Sequence, residues 1–165
     1  MKVTTKAFGL VDIEDHQKVT FPQGLFGFES LKDYVLLDAE QEPFFWLQSI
    51  DDEHIVFILI NPFLFRPDYE MNVDNEELIS IGISDPGKAV IFSIVTILPE
   101  TAANAGLMTA NLQGPLVINR DNHLGIQAIL TDSRWKTKHD IMEEFEAAKK
   151  SKGQSADKNA GQAGR

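Results

Sequence analysis

One stretch, residues 109–130, constrains the fold of this chain more than any other. It contains an apolar, β-branched run at residues 116–118, and a second segment in which Ile126, Ala128 and Leu130 occupy alternate positions. Between the two lies the sequence NRDN, and Asn and Asp favour turns because their side chains bond to the nearby backbone. Two strand-like runs joined by such a turn predict a β-hairpin.

Short apolar segments of the same kind recur along the chain, separated by Gly, Pro, Asn and Asp. Strands are predicted over residues 4–13, 18–22, 34–38, 44–50, 54–60 and 88–98. Residues 73–78 predict a short helix, with a strand over residues 79–83 as the alternative. Many short strands indicate an antiparallel sandwich or a small barrel. A barrel is favoured because closure hides strand edges, so we predict an all-β, small antiparallel barrel-like domain with one or two short helices.

The pattern changes after residue 130. Ile141, Phe145 and Ala148 recur at helical spacing, and glutamates at 143, 144 and 146 give the segment an acidic face. The following residues are mainly Gly, Ala, Gln, Ser and Lys, a composition typical of disorder. We therefore predict a barrel-like domain at residues 1–136, a C-terminal helix at residues 137–150 and a disordered tail at residues 151–165.

Charge narrows the class of partner. The net charge is −10, and because residues 151–165 hold three basic side chains and one acidic one, the first 150 residues carry −12. Such a surface repels nucleic acid and attracts basic proteins. The alternative is that the charge merely keeps the protein soluble.

Several site types are disfavoured by what the sequence lacks. The chain has no cysteine, which removes disulfides, zinc–thiolate sites and thiol catalysis. Its N-terminus lacks the apolar segment of a signal peptide and no apolar run spans a membrane, so the cytoplasm is expected. None of the four histidines is spaced for metal binding with another, and the chain lacks a GxSxG motif and a phosphate-binding glycine motif. We predict no enzyme activity, no metal and no cofactor.

Taken together, several motifs resemble the flagellar assembly factor FliW family of bacteria. They are FPQGLFGF at residues 21–28, FWLQ at 45–48, NP at 61–62, DY at 68–69, TANLQGPLVIN at 109–119 and GIQAIL at 125–130. Their order and spacing make the resemblance specific over residues 3–130. Beyond that point the family usually has a Tyr and an Arg, where this chain has Trp135, Lys136 and Lys138.

The resemblance implies a cytoplasmic protein without catalytic activity that binds two other proteins. One is newly made flagellin, which a protein of this family would bind near the terminal helical region, acting as a chaperone. The other is CsrA, a dimeric RNA-binding repressor of flagellin translation. A FliW-family protein that binds CsrA away from its RNA-binding surface would lower the affinity of CsrA for the messenger RNA. Flagellin and CsrA would thus compete for one pool and couple flagellin synthesis to export.

Two sets of residues are predicted to make these contacts. Glu143, Glu144 and Glu146 would meet the basic CsrA, with Phe145 as an anchor; the alternative is that this helix only packs on the barrel. An apolar groove holding Phe44, Trp46, Phe63 and Phe65 would take a flagellin helix, because amphipathic helices dock in apolar grooves; the alternative places these aromatics in the core.

Other functional classes stay open. Small barrels can enclose a ligand, so a small-molecule-binding barrel is one alternative, and a general protein-interaction module is another. A hydrolase built on scattered acidic residues would require two carboxylates and a His to converge in a pocket.

Overall fold

The computed structural model describes residues 1–100 and 106–150, so the tail predicted at residues 151–165 lies outside the described residues. Eleven strands form within these ranges: β1 (Lys2–Thr5), β2 (Gly9–Asp12), β3 (Lys18–Thr20), β4 (Asp33–Asp38), β5 (Phe45–Ser49), β6 (Val56–Ile60), β7 (Ala89–Ile97), β8 (Met108–Ala110), β9 (Leu116–Asn119), β10 (Gly125–Gln127) and β11 (His139–Asp140). The α-helices are α1 (Asn75–Ser80) and α2 (residues 141–150). Short 3-10 turns cover Asp15–Gln17, Pro62–Leu64 and Pro86–Lys88.

A nine-stranded antiparallel sheet carries the fold, and β7 is its branch point. The order runs β10-β9-β7-β6-β5-β4-β3, with β8 and β11 off this path, and β1 and β2 form a separate hairpin. The first half of β7 pairs with β9 at Ala89–Phe92, and its second half pairs with β8 at Val95–Ile97. The nine residues of β7 therefore serve two neighbours on the same side, which splays the sheet into two wings.

The sheet curls until its two ends meet. Thr20, the last residue of β3, forms a parallel bridge with Leu124, and its backbone N–H donates to the carbonyl of His123 at 3.1 Å. This single bridge is not a continuous ladder, so the sheet is barrel-like without closing. The contact needs a glycine, because a Cβ on Gly125 would lie 2.6 Å from the ring of buried Phe21.

Side chains fill the interior in two main clusters. The first surrounds Phe21 and Tyr34, whose rings meet edge to face at 5.6 Å, together with fully buried Leu47 and Leu59. The second cluster lies against β8 and α2 and contains Ile60, Phe65, Tyr69, Leu112, Trp135 and Ile141. Packed side chains thus occupy the space where a small-molecule-binding barrel would hold its ligand.

The predicted fold class is confirmed: mostly antiparallel strands, few short helices and a C-terminal helix. The opening hairpin forms between β9 and β10, with Gly125 opposite Ile118. The short helix predicted at residues 73–78 forms as α1 at Asn75–Ser80, in place of the alternative strand over residues 79–83. The Asp74 side chain accepts from the Glu76 N–H at its start. α2 begins at residue 141 and not at 137, because His139 and Asp140 first pair with β8.

Candidate functional site

An apolar groove lies over β5, where the sequence predicted one. Its volume is about 360 Å³, and half-buried Phe44 and Trp46 line it. The remaining apolar lining is Ala7, Phe8, Ala39, Ile58, Ile97 and Met108, and Glu40 and Gln41 stand among the lining residues. We call this surface the β5 groove. Ile97 is 53% exposed there, an unusual state for a residue of a central strand.

Sequence reasoning found two of the groove residues and missed the others. Phe8 comes from the β1–β2 turn, Ile97 from β7 and Met108 from β8, so the groove assembles from distant segments. The pairing of Ile97 with Met108 across β7 and β8 brings two of them together. Ile97 and Met108 are marked in the sequence only as apolar residues at strand ends, a feature that core residues share.

Phe63 and Phe65 do not join this groove. Phe65 is fully buried in the second core cluster and has no surface to offer a partner. Phe63 is 40% exposed, but it lines a separate groove beside α1. The four aromatics predicted as one flagellin surface therefore occupy three different environments.

The acidic residues of α2 also divide. Glu143 and Glu146 are exposed, whereas Phe145 is half-buried and packs against the second core cluster. Glu144 faces inward: one oxygen accepts from Arg66 Nη1 at 2.7 Å and bonds to His139 Nδ1 at 2.8 Å. The acidic surface that α2 presents is thus Glu143 and Glu146, without Glu144.

His139 is held as one tautomer by its two partners. Its Nε2 accepts from the backbone N–H of Lys136 at 2.9 Å, so the ring proton lies on Nδ1 and is donated to Glu144. This buried imidazole ties the start of α2 to the loop before β11. Its role in the fold is structural.

Two arginine side chains lie over the Trp135 ring. The guanidinium carbons of Arg66 and Arg134 lie 4.8 and 4.9 Å from the Trp135 ring, a cation–π geometry. Tyr69 meets the same ring edge to face at 4.8 Å and donates its hydroxyl to the carbonyl of Leu112. Sequence reasoning missed this cluster, whose local signal is a lone Trp next to an Arg.

Ionisation follows from these contacts. The hydrogen bonds between Arg66 and Asp68 raise the pKa of the Arg66 guanidinium and lower the pKa of the Asp68 carboxyl. Burial raises the pKa of the Tyr69 hydroxyl. Hydrogen bonds from Arg134 lower the pKa of Asp132. All of these shifts keep the groups in their ordinary charge states near neutral pH, which suits a structural cluster.

Glu144 and Glu143 provide a matched test of this assignment. Glu144→Gln will lower the free energy of unfolding by about 1–3 kcal/mol, because hydrogen bonds to charged groups contribute that much when buried. Glu143→Gln, one residue away on the exposed side, will change it by less than about 0.5 kcal/mol. Urea unfolding followed by circular dichroism measures both; equal losses would contradict the inward role of Glu144.

Two searches of the described ranges bear on other site types. In residues 1–100 and 106–150, no three or more His, Asp or Glu side chains gather where they could hold a metal ion. None of the helices in these ranges has the length and apolar character needed to cross a membrane.

Comparison with known proteins identifies one family. The family model for FliW protein matches residues 2–141. The flagellar assembly factor FliW of Treponema denticola is 49% identical over 148 residues, covering 90% of this chain and 98% of the relative. That of Treponema pallidum is 45% identical, covering 88% and 94%. A crystal structure of the flagellar assembly factor FliW superposes with a TM-score of 0.74 at 38% identity, covering 86% of this chain and 96% of that one.

Proposed function

This chain belongs to the FliW family of flagellar assembly factors, and on that premise we propose that it binds flagellin and the translational regulator CsrA in the bacterial cytoplasm. It acts without catalysis, as a chaperone for flagellin and an antagonist of CsrA. While flagellin accumulates the protein is occupied, and CsrA represses flagellin translation. Export of flagellin frees the protein to bind CsrA and relieve that repression.

The β5 groove is the proposed flagellin site, and it is the observation that carries the proposal. Phe44 and Trp46 offer broad apolar surface in a groove of about 360 Å³. An amphipathic helix lays its apolar side chains into such a groove at spacings of three and four residues. Aromatic side chains in grooves commonly supply most of the binding energy. Phe63 and Phe65 lie outside this groove and are left out of the proposed site.

The exposed side of α2 is the proposed CsrA site. A protein that binds RNA presents basic surface, and acidic residues on its partner speed the encounter and fix its orientation. Glu143 and Glu146 are free for this role, while half-buried Phe145 fixes the helix on the core and exposes part of its ring as an anchor. Glu144 is committed to Arg66 and contributes through the placement of α2.

Both proposed surfaces rest on the same packing. Phe44 and Met108 of the β5 groove and Phe145 of α2 all pack against the second core cluster. β8, which carries Met108, also pairs with β11 directly before α2. A helix seated in the groove therefore presses on the support of α2, which gives a physical basis for competition between the two partners.

Charge reversal on α2 tests the CsrA site. Replacing Glu143 and Glu146 together by Lys will weaken CsrA binding about three- to tenfold at low salt and less at moderate salt, because exposed ion pairs are individually weak and screened. The matched control, Asp51→Lys with Glu53→Lys, makes the same charge change on an exposed turn outside both surfaces. Isothermal titration calorimetry measures each. Unchanged affinity at both salts, in a protein whose wild type binds CsrA, would remove α2 from the interface.

A further inference from the structure

A second apolar groove lies beside α1 and belongs to neither proposed surface. Its volume is about 390 Å³. An adjoining groove of about 320 Å³ shares Leu78, Ile83 and Pro86 with it and extends it past Ile79. We call the pair the α1 groove. Its principal apolar lining is Phe63, Met71, Val73, Leu78, Ile83 and Ile91.

The α1 groove leaves large apolar side chains in water. Ile79 is 69% exposed on α1 and Phe63 is 40% exposed at the other end. Contiguous exposed apolar surface of this kind marks interaction sites on soluble proteins. These side chains are exposed although the segment that carries them is well packed, because the residues beneath the groove are buried and hydrogen-bonded.

Buried residues beneath the α1 groove fix its shape. Ile81 and Ile83 are buried with Val117 and Ile126 in a cluster of their own. The carbonyl of Ile81 accepts from Asn119 Nδ2 at 2.8 Å and from Asn122 Nδ2 at 3.0 Å. The turn of the β9–β10 hairpin thus holds the segment after α1, and the groove is preformed.

The segment that forms most of the α1 groove carries charge of a single sign. Residues 67–87 contain six acidic side chains and no Lys, Arg or His. The basic residues that flank this segment already have partners: Arg66 bonds to Asp68 and Glu144, and the Lys88 amine lies 3.5 Å from Asp121. Asp74, Glu76 and Asp85 are exposed and adjoin the lining residues Val73, Asn75 and Pro86 in the sequence, so we take them as the rim. The groove is therefore an apolar trough with a negative border.

We propose that the α1 groove binds an amphipathic α-helix of a partner protein, one with an apolar stripe flanked by Lys or Arg. Apolar residues three and four positions apart fill the trough, and the flanking cations meet the acidic rim. Nucleic acid and anionic membrane are repelled by the same rim. Of the residues first predicted to bind flagellin, only Phe63 lines this groove, and it lies outside the proposed flagellin and CsrA sites. The proposal therefore stands whether or not those two sites hold.

Three synthetic helical peptides of about 14 residues test the required chemistry with the full-length protein. The first has a leucine stripe with lysine flanks, the second the same stripe with glutamate flanks, and the third lysine flanks with serine in place of leucine. Fluorescence anisotropy at moderate salt will show the first binding at least about tenfold tighter than either other peptide, because the trough and its rim must both be matched.

Matched variants locate that binding. Ile79→Ser, and Asp74→Asn with Glu76→Gln, will each weaken the first peptide about five- to tenfold, since they remove exposed apolar contact or rim charge. The controls are Ile129→Ser, which alters an isoleucine 60% exposed elsewhere, and Asp51→Asn with Glu53→Gln, which makes the same charge change on another turn. These will stay within about twofold of wild type.

Three results would overturn the proposal. The serine peptide binding as tightly as the leucine peptide would show that only bulk charge acts. Groove variants that bind like wild type would place the peptide elsewhere. Control variants that weaken binding as much as the groove variants would show a non-specific surface. Circular dichroism of each variant confirms that the fold is retained before binding is compared.

Discussion

Replacing Trp135 by alanine will lower the free energy of unfolding by about 3–5 kcal/mol, the range for a buried Trp truncated in a packed core. Trp135 is 1% exposed and meets Tyr69 edge to face at 4.8 Å. Alanine leaves a cavity between these groups and also removes the ring that Arg66 and Arg134 cover. Urea unfolding followed by far-ultraviolet circular dichroism measures the loss, because that signal does not depend on tryptophan fluorescence.

Two further variants keep this prediction testable if Trp135→Ala does not fold. Trp135→Phe retains most of the ring and will lose about 1–2 kcal/mol. Trp46→Ala, at the chain's other tryptophan, will lose less than Trp135→Ala because Trp46 is half-buried in the β5 groove. If Trp135→Ala and Trp135→Phe both unfold within about 0.5 kcal/mol of wild type, the cluster around Trp135 does not support the fold as described.

Trp46→Ala will weaken flagellin binding at least about 30-fold, which corresponds to a binding hot spot of about 2 kcal/mol. The indole lines the β5 groove with Phe44, Ile58 and Ile97, so a helix docked there buries its remaining exposed surface. Ile97→Ser removes an exposed apolar side chain of the same groove and will weaken binding about fivefold. Surface plasmon resonance with immobilised flagellin measures both.

Phe63→Ala is the matched control for the β5 groove. Phe63 is likewise an aromatic residue at a groove surface, but the groove it lines is the α1 groove. It will leave flagellin affinity within about twofold of wild type. Reversal of the two effects, with Phe63→Ala weakening flagellin and Trp46→Ala leaving it unchanged, would move the flagellin site to the α1 groove.

Elements with strong local signals were predictable from the sequence. The β9–β10 hairpin follows from a β-branched run, an Asn-rich turn and a second apolar segment, all within 22 residues. The short helix predicted at residues 73–78 forms as α1, and the structure shows that the Asp74 side chain caps its first turn. Groove residues Phe44 and Trp46 were found because aromatic residues cluster on β5.

Features that depend on long-range contacts were not predictable. Glu144 belongs to an acidic stretch, yet its side chain points inward because it bonds to Arg66, 78 residues away, and to His139. Phe65 and Phe63 are neighbours in an aromatic run, but one is buried and the other exposed because a 3-10 turn at Pro62–Leu64 separates their directions. β7 pairs with two strands on one side, and no local pattern marks the residue where its partner changes.

Sizing of mixtures tests the central claim, that this protein acts by holding flagellin and CsrA in turn. The purified protein would be mixed with flagellin, with CsrA, and with both, and each mixture analysed by size-exclusion chromatography with light scattering. The account predicts a complex with each partner alone. When flagellin is added to the complex with CsrA, CsrA should be released, and no species containing all three proteins should form. Failure to form either complex, or a stable assembly of all three proteins, would contradict it.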